Sequence, residues 1–335
     1  MRYFLTGATG FIGRRVAIRL LESGHEVAAL VRKPHEARDL MVQGAEIFKG
    51  DITDRQTIAS GMQGADGVFH IAAKYALGLR SHSSMESINV GGTRNVLRTM
   101  RELQIPRGVY TSSIIVNSDT KGILVDETYH YDGPHLSEYG RTKWEAHYNV
   151  AKSMIFDGLP LIIVLPSTVY GPGDESSIAL MFKDFLRGRL PMIPAISTLS
   201  WAHVDDVVNG HLLAMEKGKI GESYVLSGPT HSFVEALQEA ARITRRRPPP
   251  IHLGPGLFRL VSKLSGALER FFKIPSHYSA EALASSAGTS MIASFEKARA
   301  ELGYEPRDLR QGLKGTLTDI ASRISEERKM KRQRR

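Results

Sequence analysis

Residues 3–13 read Tyr3-Phe4-Leu5-Thr6-Gly7-Ala8-Thr9-Gly10-Phe11-Ile12-Gly13. Tyr3–Thr6 reads as a short apolar strand, and Phe11–Ser23 as a helix. The glycines between them let the backbone turn tightly and approach a pyrophosphate. The helix start adds unpaired N–H donors and the positive end of the helix dipole. A glycine pattern alone is weak, but this one follows a strand and opens a helix, which is the context it needs. Gly7, Thr9, Gly10, Phe11, Ile12 and Gly13 are therefore candidate contacts for a dinucleotide.

Working outward, the same alternation continues. Val27–Val31, Ala45–Lys49, Val68–Ala72 and Gly108–Ser112 read as strands, with helical segments around Asp54–Met62 and Asn89–Leu103. Alternation at this spacing means βαβ units on a parallel sheet with helices on both faces. Leu161–Leu165 and Ser223–Ser227 read as further strands, and Ser177–Arg187, Phe233–Thr244 and Gly254–Phe272 as helices. The expected architecture is α/β: a doubly wound parallel sheet of the Rossmann type with a smaller, mostly helical C-terminal substrate domain. Residues 1–172 and 203–232 would form the dinucleotide domain, 173–202 and 233–322 the substrate domain, and 323–335 a basic tail.

Composition narrows the function. Of 335 residues, 42% are hydrophobic and 24% charged, which excludes a disordered, collagen-like or coiled-coil chain. The absence of cysteine removes disulfides, thiolate metal sites and a cysteine nucleophile, and no metal ligand set is read from the remainder. Six of the nine net positive charges sit in residues 328–335, so the body carries only +3. No zinc-finger, helix-turn-helix or aromatic RNA-binding signature accompanies them, so nucleic acid is not an expected partner. Met1-Arg2 leads directly into a strand and a turn, which does not read as a signal peptide. Leu159–Pro166, the longest strongly apolar run, is far below the roughly 20 residues of a membrane helix. The expected location is cytoplasmic.

The end of the second strand bears on the cofactor. An acidic residue there would bind ribose hydroxyls and repel a 2′-phosphate. The chain reads Leu30-Val31-Arg32-Lys33-Pro34-His35 instead. Arg32, helped by Lys33 or His35, suits a 2′-phosphate, so NADP(H) is expected over NAD(H). The plainer reading leaves Arg32 and Lys33 as surface charges beside an NAD site. Asp51-Ile52 would lie near the adenine, although Asp51 could equally cap the next helix.

Tyr139 and Lys143 form a Tyr-x-x-x-Lys pair, a spacing that puts both side chains on one helix face. The ammonium would stabilise phenolate and lower the tyrosine pKa, letting the phenol exchange a proton with a carbonyl or alcohol. Ser113, after the strand Gly108–Ser112, is the candidate hydroxyl that holds the substrate oxygen, with Ser112 its near competitor. A second pair, Tyr148 and Lys152, lies nine residues further on. At about 100° per residue Tyr148 points to roughly the opposite face. Tyr139 stands closer to the helix start and is preferred.

Together, the glycine turn, Thr111-Ser112-Ser113, Tyr139/Lys143, Asn89-Val90-Gly91-Gly92-Thr93 and Trp201-Ala202-His203-Val204-Asp205-Asp206-Val207 resemble the extended short-chain dehydrogenases/reductases, over nearly the whole chain to about residue 320. The resemblance implies Ser113, Tyr139 and Lys143 as catalytic residues, and Asn89, Tyr139 and Lys143 also as cofactor-binding residues, Lys143 through the nicotinamide ribose. It places Pro166-Ser167-Thr168-Val169 close to the nicotinamide and Ala72-Ala73 near the cofactor's middle. It makes Asn89 a brace of the site, the plainer alternative being a helix cap, and Asp205 and Asp206 helix caps that join the two domains. It also implies a homodimer built through two helices per subunit.

Sugar-nucleotide members commonly carry Arg-Pro-x-Asn-Val-Tyr-Gly-Pro. Here Leu165 replaces the Arg and Thr168 the Asn, and the stretch is more similar to dihydroflavonol-4-reductase-like and hopanoid-associated epimerase-like proteins. The implied activity is NADP(H)-dependent interconversion of a ketone or aldehyde and an alcohol on a fairly apolar small molecule. A nucleotide-sugar epimerase or dehydratase with retained NAD(P) is the alternative, and a non-catalytic NADP sensor a third. Lys74–Met85, Ser176–Trp201 and Arg247–Ser290 would form the substrate lid, with Tyr75, Leu79, Met181, Phe182, Phe185, Met192, Ile193 and Trp201 as its apolar groups. Gly256–Lys273 is amphipathic and basic; it suits a domain-packing helix or, like the tail, a peripheral membrane contact.

Overall fold

The structure is a computed structural model that describes residues 1–75, 82–257, 260 and 288–333. In chain order its strands are β1 (Arg2–Thr6), β2 (Glu26–Val31), β3 (Glu46–Lys49), β4 (Gly67–His70), β5 (Gly108–Thr111), β6 (Leu161–Pro166) and β7 (Thr168–Tyr170). They continue as β8 (Met192–Pro194), β9 (Thr198–His203), β10 (Ser223–Leu226), β11 (Thr230–Ser232), β12 (Ile251–Leu253) and β13 (Ser290–Met291). Seven of these make one parallel sheet in the order β10-β6-β5-β4-β1-β2-β3. The chain builds outward from β1 to β3, then returns to the other side of β1 with β4. This reversal opens a crevice at the carboxyl ends of the strands, where ligands bind in sheets of this kind.

Helices cover both faces, so the inner strands are largely apolar rather than alternating with polar groups, while the edge strand β3 keeps Glu46 and Lys49 exposed. Every residue of Leu161–Pro166 is buried. Within β1, Phe4 faces one core while Tyr3 and Leu5 face the other, the two-residue period of a strand. The first core includes Val96, Leu97 and Met100 of the helix Thr93–Glu102, and the second Val16, Ala17 and Leu20 of the helix Gly13–Glu22.

A third core gathers Phe182, Trp201, Leu237, Leu313, Leu317 and Ile320. It lies mostly in the part read from sequence as mostly helical, where two small sheets are also found, one of them taking β7 and β11 from residues assigned to the dinucleotide domain. β9 pairs with β7, β11 and β13, and β12 pairs with β8. Strands of two to six residues give too short a period to read from sequence. Phe182, Phe185 and Trp201, expected on the lid, are buried in this core instead. Truncating a buried aromatic of this size costs about 3–5 kcal/mol.

Asp206 ties the two parts together. Its carboxylate accepts three bonds from the Arg307 guanidinium at 2.7–3.0 Å and one from the Arg307 backbone N–H at 3.0 Å. Asp205 pairs more loosely with Arg15 and Arg307, and the helix Val204–Lys217 is capped by His203 rather than by either aspartate.

The basic tail does not begin at 323. One helix runs from Leu309 to Gln333. Ile320 and Ile324 keep its apolar stripe buried, and Glu327 accepts from Lys183 and Arg187. Leu79 and, apart from 256, 257 and 260, the amphipathic segment Gly256–Lys273 lie outside the described residues.

Candidate active site

One cavity of about 940 Å³ occupies the crevice, and each strand around it delivers residues just past its carboxyl end. Gly7, Thr9, Gly10, Phe11, Ile12 and Gly13 follow β1, and Arg32 follows β2. Gly50, Asp51 and Ile52 follow β3, Ile71–Tyr75 follow β4, Ser113–Ile115 follow β5, and Ser167–Val169 follow β6.

The glycine turn is packed to leave no room for side chains. Gly7 has φ +81°, and a methyl group there would meet the Ala72 nitrogen at 2.7 Å; one on Gly13 would collide with the Gly7 carbonyl. The backbone itself is therefore the surface offered to a ligand, above the N-terminus of Gly13–Glu22. That is the shape and polarity a pyrophosphate requires. At the rim, Arg32 is exposed and makes no hydrogen bond or ion pair among the described residues. Lys33 is absent from the wall and pairs with Glu36 at 3.0 Å, so the solvent-facing reading applies to it. Asp51 lines the wall while accepting from the Thr53 N–H and hydroxyl; the cap of the helix Arg55–Met62 is Asp54.

In the middle of the cavity stand Ser113 and Tyr139. Ser113 lies just past β5 and caps the tight turn Ile114–Asn117, accepting from the Ile115 N–H at 3.2 Å. Its hydroxyl also donates to the Pro166 carbonyl at 3.4 Å. Pro166 therefore contributes a backbone acceptor behind Ser113 and does not line the wall. The strand alternation sends Ser112 the other way, where it hydrogen-bonds His147 at 2.9 Å in the core. Ser137 caps the helix Glu138–Glu145 by accepting from the Gly140 N–H, which fixes Tyr139 in its first turn. Tyr75 packs edge-on against the Tyr139 ring at 4.9 Å.

Lys143, one turn on, is buried and lies behind the wall rather than in it. Its ammonium donates to the Thr111 carbonyl at 2.7 Å and to the Tyr110 hydroxyl at 3.4 Å. Burial dominates the titration of both members of the pair. Desolvation lowers Lys143 to about 7. Desolvation, with the neighbouring Tyr75, pushes the Tyr139 phenol upward. The Tyr139 phenol is thus raised where the sequence reading expects the ammonium to lower it, because burial disfavours a phenolate.

Asn89 neither lines the cavity nor caps a helix. Buried inside the π-helical stretch Glu86–Gly92, its side chain accepts from the Lys74 N–H at 2.7 Å and donates to the Lys74 carbonyl and to Thr142. It thus ties the loop after β4 to the helix that carries Tyr139. The second pair stays outside the cavity. The helix continues through a π-helical stretch, Ala146–Lys152, so its rotation is not uniform. Tyr148 packs against Trp144 and His130 and donates to the Tyr129 carbonyl.

Beyond Tyr139 the wall turns apolar: Ile178, Met181, Leu190, Met192, Ile193, Leu199, Phe233 and Met291. Tyr75, Met181, Met192 and Ile193 of the cavity lining are expected by name, and Ile178, Leu190, Leu199 and Thr289 lie in the expected lid segments. Ser137, Asp174, Phe233 and Met291 are not expected from the sequence. The Ser-x-x-Gly start of the Tyr139 helix could have found Ser137, but the two-residue strand β13 gave no signal for Met291.

A seven-stranded sheet reversing at β1, a glycine turn at the reversal and a Ser/Tyr pair beside it define a dinucleotide-binding protein of the Rossmann type. The chain belongs to the NAD dependent epimerase/dehydratase family, whose profile matches residues 3–227, and whose members include reductases and dehydrogenases as well as sugar epimerases. It is 34% identical over 251 residues, 72% of each chain, to a Synechocystis sp. protein provisionally named a dihydroflavonol 4-reductase. It is 30% identical over 321 residues, 92% of each chain, to a Stigmatella aurantiaca 4-hydroxy-2-methyl-3-oxo-4-farnesyl-3,4-dihydroquinoline-1-oxide ketoreductase. The crystal structure of gox2253 superposes with a TM-score of 0.82 at 34% identity, covering 96% of this chain and 98% of that one. No helix among the described residues is long and apolar enough to cross a membrane.

Proposed function

We propose that the protein is an NADP(H)-dependent oxidoreductase that interconverts a carbonyl and an alcohol on a fairly apolar small molecule. The observation that carries this reading is the continuity of the cavity. Its dinucleotide half runs past Ser113 and Tyr139 into a wall of Met181, Leu190, Met192, Ile193, Leu199 and Met291. Such a wall suits hydrocarbon and offers little to a sugar diphosphate. Leu165 and Thr168, where sugar-nucleotide relatives carry Arg and Asn, point the same way. The farnesyl-bearing substrate in the name of the Stigmatella relative is of the same apolar kind.

When bound, the nicotinamide supplies or accepts the hydride. The chain's own residues handle the oxygen and its proton. Ser113 Oγ holds the substrate oxygen. Tyr139, kept a neutral phenol by burial, donates its proton to that oxygen in the reducing direction. Lys143 stands behind the phenol as the cation that favours the phenolate formed when the proton leaves. Asn89 and Ser137 hold the helix that aims Tyr139.

The unpaired Arg32 guanidinium at the rim supports the choice of NADP(H), since a 2′-phosphate would find a charge-assisted partner there. In fluorescence titrations NADPH is expected to bind at least tenfold more tightly than NADH, and Arg32→Glu to erase or reverse the difference. A wild-type preference for NADH would overturn the cofactor assignment.

A further inference from the structure

Lys143 has no carboxylate partner among the described residues. Its fixed neighbours come from three places: Tyr110 and Thr111 on β5, His70 on β4, and His147 on its own helical stretch. Two of its three N–H donors are used, one on the Thr111 carbonyl and one on the Tyr110 hydroxyl, and the ammonium also lies 5.0 Å from the Tyr110 ring centre.

Tyr110 is itself held from behind. It is fully buried, and its ring stacks on His70 at 5.4 Å with planes 20° apart. The Thr93 side chain lies beside its oxygen, next to His70. The Thr93 hydroxyl donates to the Asn89 carbonyl at 2.6 Å, so its oxygen is left to accept. It accepts from His70 Nε2 at 3.0 Å, which leaves His70 Nδ1 bare to accept from the Thr6 hydroxyl at 2.8 Å. Thr6 in turn accepts from the Ala72 N–H at 3.3 Å, next to the glycine turn. The directions of the bonds among Thr6, His70 and Thr93 follow from Thr93 having a single proton to give. Burial holds His70 near 3, so it stays neutral and keeps that tautomer at ordinary pH.

We infer that Tyr110 is a positioning residue for Lys143, and that the layer Thr6–His70–Thr93–Tyr110 locks the ammonium in place and joins it to the glycine turn. The inference deepens the proposed function, since Lys143 matters for catalysis only if Tyr139 is the acid. A hydrogen bond accepted from an ammonium favours its charged form. Removing the Tyr110 oxygen therefore makes Lys143 easier to deprotonate, while a phenylalanine keeps the ring, the stack on His70 and the cation–π contact.

The test follows Lys143 directly. The full chain is labelled with 13Cε lysine, the Lys143 resonance is assigned by its loss in Lys143→Arg, and its titration midpoint is read by NMR. Tyr110→Phe is expected to lower the midpoint by about one pH unit, tenfold in proton affinity. Thr93→Val is expected to shift it less in the same direction, and Thr93→Ser, which restores the hydroxyl, to leave it near the wild-type value. A folded Tyr110→Phe protein whose midpoint coincides with wild type overturns the inference. If that variant does not fold, a Thr93→Val midpoint equal to that of Thr93→Ser overturns it. NADPH oxidation with decanal is measured on the wild type alongside. Failure there counts against the proposed reaction and not against the lysine's positioning, so the two failures are distinct.

Discussion

Two Tyr-x-x-x-Lys pairs lie nine residues apart on one helical stretch, and their surroundings differ in every respect that chemistry notices. Tyr139 stands in the first turn, fixed by the Ser137 cap and facing the cavity; Lys143 beneath it is buried on Tyr110 and the Thr111 carbonyl. Tyr148 packs among Trp144, His130 and His147, and Lys152 is only partly buried. The spacing that puts a phenol near an ammonium is common to both. What separates them is the elements brought against each side chain: the ends of β4 and β5 on one side, and on the other an aromatic cluster backed by the residue 129–135 loop. A motif of two residues is read correctly only with its partners in view.

The largest expected effect comes from breaking that contrast at the phenols. Tyr139→Phe should reduce turnover by about 10²–10⁴-fold, the range for removing a general acid, with NADPH binding changed less than threefold. Tyr148→Phe should stay within about twofold of wild type. Comparable activity in the two variants would move the chemistry elsewhere.

The serines sharpen the comparison. Ser113→Ala should lower turnover by about 10–100-fold with little change in melting temperature. Ser112→Ala should show the reverse, because it leaves the buried His147 nitrogen unpaired, at about 1–3 kcal/mol of stability. Denaturation curves and steady-state assays on both variants separate the roles.

The most diagnostic effect lies with the lysines. Lys143 is held at about 7 in the folded protein, against about 10.4 unfolded. Between these values the unfolded chain binds the proton more tightly, so folding stability rises with pH across this window. Relative to Lys143→Met, the wild type should gain on the order of 3 kcal/mol from pH 7 to pH 10. Lys152, also lowered by burial but partly exposed, should show the same sign in Lys152→Met with a smaller slope. Equal slopes in chemical denaturation would contradict the different burial of the two ammonium groups.

How much of this was legible in the sequence depends on the length of the signal. The parallel strands announce themselves because burial on both faces makes them continuous apolar runs, as in Leu161–Pro166. The glycine turn is legible because its place between strand and helix is fixed by the chain itself. The choice between Ser112 and Ser113 rests on which face a strand's last residue takes, and one residue reverses the answer. Aromatic composition marked the substrate half but could not tell Trp201, which is core, from Met291, which is wall. Lys33 and Arg32 look alike in sequence and part only because Glu36, one turn on, captures Lys33. Its charge sets the tail apart at 323, while the burial of Ile320 and Ile324 carries one helix to Gln333.

The proposed reaction needs a phenol placed beside the reactive ring of a bound dinucleotide, and a crystal structure of the complex with NADP⁺ measures this directly. The account predicts the pyrophosphate on the Gly7–Gly13 turn, the 2′-phosphate beside Arg32, and the nicotinamide within about 4 Å of the Tyr139 hydroxyl, a near-attack separation plus a small margin. A dinucleotide bound with its nicotinamide remote from Tyr139, or nearer Tyr148, would contradict it.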